Sequence, residues 1–89
     1  MKLHIDTTQI RSATVIMGEF NKTSQSLVPL IEEAVQANNC TFSDITEIRV
    51  ATGPGSFTGL RVGAAVANAL GFLLGIPVNG KKALVTPLY

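Results

Sequence analysis

The sequence predicts a single α/β domain over residues 1–89, with a mixed sheet that begins as a hairpin and continues with parallel strands. Three observations predict it. Segments 2–6 and 11–17 are short, β-rich and separated by only a few residues. Apolar residues from Leu27 to Val35 then recur with helical spacing. A third strand-like segment runs into a glycine-rich turn and a second helical stretch.

Lys2–Asp6 alternates, with Leu3 and Ile5 on one face, as a half-buried strand does. Thr7 to Ile10 is a turn. Arg11–Met17 (RSATVIM) is rich in β-branched residues and closes an antiparallel hairpin with the first strand. Gly18 ends it, and Glu19–Thr23 reads as a short polar loop. Leu27, Leu30, Ile31, Ala34 and Val35 share one face of an amphipathic helix. Ser24 or Ser26 can cap its start, Pro29 fits within the first turn, and Asn38-Asn39 supply a stop. Glu47–Thr52 is a third strand, which the helical crossover allows to lie parallel to the first. A second helix runs from about Thr58 to Leu74, with Gly75 and Pro77 ending it. Ile76–Asn79 is a short fourth strand. The expected strand order is second, first, third, fourth, with right-handed crossovers and the helices tending to one face.

In the second helix Gly59, Gly63, Ala67, Gly71 and Gly75 recur every four residues, along one shallow ridge. The remaining positions are apolar nearly all round. Each interior glycine costs about 1 kcal/mol in a helix, so close packing must offset it. Gly59, Leu60, Gly63, Ala64, Val66, Ala67, Leu70 and Gly71 form the expected contact surface with a second copy or a partner. The alternative is that the ridge packs on the chain's own sheet.

Composition narrows the function. Hydrophobic residues make up 46% and charged residues 15%, against about 25% charged in ordinary domains. That excludes intrinsic disorder and suggests more apolar surface than a small monomer hides. Seven basic and six acidic residues give a net charge of +1, too balanced for a protein that grips nucleic acid alone. From Arg61 onward there are basic residues (Arg61, Lys81, Lys82) and no acid. The lone Cys40 cannot form an internal disulfide and reads as a cytosolic thiol. No signal peptide or membrane span is expected: Asp6 interrupts the start, and the apolar run Leu60–Leu74 is shorter than the roughly 20 residues of a span.

The motif Gly53-Pro54-Gly55-Ser56-Phe57-Thr58-Gly59 has two readings. It can be a nest of backbone N–H groups that holds an anion before a helix, or a tight structural turn. It lacks the Gly-Lys-Ser/Thr of a P-loop and the spacing of a dinucleotide fingerprint. Asp6-Thr7-Thr8 ends the first strand on the side where open sheets bind ligands. Asp6 can orient a metal-bound phosphate there, or form an Asx turn. Ser56 does not sit in a nucleophile elbow, His4 is the only histidine, and Glu32-Glu33 read as a solvated edge. No catalytic group and no metal cluster emerges.

Ile5-Asp6-Thr7-Thr8, the stretch Ala51–Gly63 with its GPGSFTGLRVG core, SQSLVPLI at the first helix and Gly75-Ile76-Pro77-Val78 together resemble the TsaB (YeaZ) family. The likeness covers nearly the whole chain. It implies an actin-like, ribonuclease-H-like domain and a non-catalytic subunit without a cofactor. It also implies self-pairing, a TsaD-like transferase and a TsaE-like ATPase as partners, tRNA met only through that complex, and a cytoplasmic setting. TsaD carries a histidine metal motif, whereas this chain has only His4. Asp6, Thr7, Thr8 and the Gly53–Gly59 loop carry over as nucleotide-side motif positions. Two departures from the family are expected: a strand missing after the hairpin, and no second domain. The chain is then a minimal homologue or an N-terminal piece, and ATP binding by it alone is not expected. A small nucleotide-binding ATPase and a self-associating remnant without a tRNA role remain as alternatives.

Overall fold

The computed structural model describes residues 1–82. Its strands are β1 (Lys2–Asp6), β2 (Ala13–Met17), β3 (Phe20–Ser24) and β4 (Glu47–Val50), with helices α1 (Leu27–Ala37) and α2 (Phe57–Leu74). The sheet order is β3-β2-β1-β4. β2 is antiparallel to both β1 and β3, and β4 is parallel to β1. The predicted hairpin, helical crossover and parallel return are all present.

One face of the sheet carries Leu3, Ile5, Ala13, Val15, Met17, Ile48 and Val50, all buried. α1 covers β2 and β3 on that face, and α2 covers β4 and β1. Leu27, Leu30, Ile31, Ala34 and Val35 are the buried residues of α1, the face expected from spacing. Asn38 stops the helix, and its amide donates to the Met17 and Ala34 carbonyls. Ser26 stands at the N-cap but makes no side-chain bond; the Ser24 hydroxyl instead accepts the Ser26 N–H.

Two expectations require correction. The sheet is not missing a strand after the hairpin: Phe20–Ser24, read from sequence as the polar loop 19–23, pairs with β2 along its whole length. Gly18, with φ of 61°, opens the two-residue turn that this hairpin requires. β3 is an edge strand, so only Phe20 has to pack on the core. Lys22 points to the helix side and reaches Glu33 of α1 at 2.7 Å. Such charged edges are how sheets block unwanted pairing. The expected fourth strand is reduced to one parallel bridge, Ile48 to Val78. The reason is local: Asn79 and Gly80 both have positive φ and turn the chain straight back to Lys81.

α2 begins at Phe57, so its 18 residues make it long and apolar enough to cross a membrane by length and composition. In this fold it lies against the sheet.

Candidate functional site

β1 ends at Asp6, and the chain must leave the sheet there. The Asp6 carboxylate accepts the Thr8 N–H at 2.9 Å and the Thr8 hydroxyl at 2.6 Å. This is the Asx turn that the sequence offered as one of two readings. Thr7 points the other way and is 3% exposed, with no hydrogen-bond partner for its hydroxyl.

The glycine-rich loop packs directly on this turn. The Ser56 N–H donates to the Thr8 carbonyl at 2.8 Å. The Ser56 hydroxyl accepts the Gly59 N–H at 3.2 Å and so caps α2. A Cβ on Gly55 would collide with Thr8, one on Gly59 with the Thr7 carbonyl, and one on Gly63 with the Thr7 hydroxyl. Three glycines are therefore needed because the Thr7-Thr8 backbone crosses against Gly55 and Gly59 and the Thr7 side chain against Gly63. Two N–H groups that the anion-nest reading would use, those of Ser56 and Gly59, are already bonded within the chain.

A cleft of about 660 Å³ opens beside this contact. The β1–β2 turn (7–12) with Ala13 of β2, Gln25 just before α1 and Leu27 at its start, and Ser56–Gly59 with Val62 of α2 line it. Its exposed rim includes Ile10 and Phe57. Arg11 lines it from a positive-φ position. Arg61 stacks over the Phe57 ring, 5.6 Å from its centroid. The motif positions Asp6, Thr7, Thr8 and Gly53–Gly59 thus meet at one end of the sheet. Pro54 and Thr58 are exposed there. Sequence reasoning missed Ile10 and Arg11, which stand in a turn with no motif of its own.

The small-residue ridge of α2 faces inward. Leu60, Gly63, Ala64, Ala67 and Gly71 are buried within the chain itself, and a Cβ on Gly71 would meet Val78. These residues are core in this structure and do not form an outer contact surface, and the half-buried Gly59 lies against the Thr7 carbonyl. Val66 and Leu70 are only partly buried. The outward side of α2 presents Val62, Phe72 and Leu73, with Phe72 85% and Leu73 75% exposed.

His4 is exposed on the open face of the sheet, in register with Ile16 and Arg49. Cys40 is half-buried, its thiol 3.6 Å from the Val35 carbonyl. Among the described residues no group of three or more His, Cys, Asp or Glu is placed to hold a metal.

The family model described as "TsaD: tRNA N6-adenosine threonylcarbamoyltransferase" matches residues 21–84. The chain is 30% identical over 63 residues to the tRNA threonylcarbamoyladenosine biosynthesis protein TsaB of Escherichia coli, covering 71% of this chain and 27% of that protein. It is 35% identical over 65 residues to the tRNA N6-adenosine threonylcarbamoyltransferase of Moorella thermoacetica, covering 73% and 19%. Among solved structures, YeaZ from Pseudomonas aeruginosa superposes with a TM-score of 0.71 and 25% identity, over 86% of this chain and 42% of that one. The chain thus spans less than a third of the curated relatives it matches. The fold is the actin-like, ribonuclease-H-like arrangement of these neighbours, in part.

Proposed function

This chain belongs to the TsaB (YeaZ) family, within the reach of the TsaD family model, and from that premise we propose that it serves tRNA threonylcarbamoyladenosine biosynthesis as a non-catalytic scaffold. Its partner is a TsaD-like transferase, joined by a TsaE-like ATPase. tRNA is met only through that assembly, in the cytoplasm. In the absence of a partner the chain pairs with a second copy.

The outward face of α2 carries this reading. The helix buries Gly63, Ala64, Ala67 and Gly71 inside the domain, yet Val62, Phe72 and Leu73 remain in solvent on its other side. Contiguous exposed apolar surface on a soluble domain marks a contact site. In the sequence the same helix is apolar nearly all round, which is the pattern of a helix covered on both sides.

The test is co-expression of the tagged chain with a TsaD-like transferase, followed by affinity purification. The transferase is expected to co-purify, and Phe72→Asp with Leu73→Asp is expected to release it while circular dichroism stays native. A transferase that fails to co-purify, or one retained by the folded double variant, overturns the reading. Tight ATP binding by the isolated chain would instead favour the nucleotide-binding alternative, for which the cleft at the glycine loop is the supporting feature.

A further inference from the structure

We draw no further inference here: the strongest candidate, the cleft of about 660 Å³ between the β1–β2 turn and the N-termini of α1 and α2, belongs to the glycine-loop site already described, and the buried unpartnered hydroxyl beside it, that of Thr7, lies against Gly63 of α2.

Discussion

Thr7 is buried under α2, and its hydroxyl occupies the space that a side chain at residue 63 would need. Gly63→Ala therefore sets two effects against each other. Alanine improves helix propensity by about 1 kcal/mol. Overpacking a tight contact costs about 1–3 kcal/mol. With the new Cβ pressed on the Thr7 hydroxyl, overpacking wins, and urea denaturation should show a net loss of up to about 2 kcal/mol. In a Thr7→Ala background the obstruction is gone, and the same substitution should be neutral or stabilising by up to about 1 kcal/mol. Equal costs in both backgrounds would show that Thr7 is not the obstacle. Gly75 presents the opposite case. A Cβ there meets nothing within 4 Å, but the residue sits at φ of 67° as the left-handed cap of α2. Gly75→Ala should cost about 1 kcal/mol through backbone strain alone. Gly75→Asn should cost less, because asparagine tolerates that conformation. A midpoint for Gly75→Asn below that of Gly75→Ala would contradict this account.

α1 was readable from the sequence because its burial pattern is strong, and α2 because glycines mark both of its ends. All five buried residues of α1 follow from helical spacing, and Gly75 marks the end of α2. β3 was not readable, since an edge strand buries so little that Asn21, Lys22 and Thr23 carry no apolar alternation. Val78 shows the reverse error: Ile76–Asn79 was expected as a short strand, but Asn79 and Gly80 leave it a single bridge. The start of α2 rests on Ser56, whose hydroxyl takes the Gly59 N–H. Ser56→Ala removes that cap and should lower stability by about 1 kcal/mol. Hydrogen exchange should then quicken at Gly59 and its neighbours more than in the second half of α2. Uniform acceleration along the helix would mean that Ser56 acts on the fold as a unit and not as a local cap.

For the assembly, the four-residue spacing of small residues announced a close backbone approach but not its direction. The periodicity is the same whether the neighbour is another chain or the chain itself, and here it is the chain itself: Thr7 at Gly59 and Gly63, and Val78 at Gly71. The proposed pairing is therefore expected on the opposite side of α2. In the isologous contact proposed, each copy would bring its exposed Val62, Phe72 and Leu73 to face the same set across the two-fold axis. Full burial of such a side chain is worth about 1.5–3 kcal/mol, less where it is already half-covered, as Val62 is. Association itself costs on the order of 4–15 kcal/mol. The two quantities are comparable, so the expected dimer is weak and dilutes apart. Light scattering over a concentration series should show a mass rising from monomer toward dimer. Phe72→Asp should hold the chain monomeric with an unchanged circular dichroism spectrum, because an 85% exposed side chain contributes little to its own core. Gly63→Leu should unfold the chain instead of merely separating copies, since that position is core. A wild type that stays monomeric at millimolar concentration, or a folded monomeric Gly63→Leu variant, would return the contact to the ridge or remove it altogether.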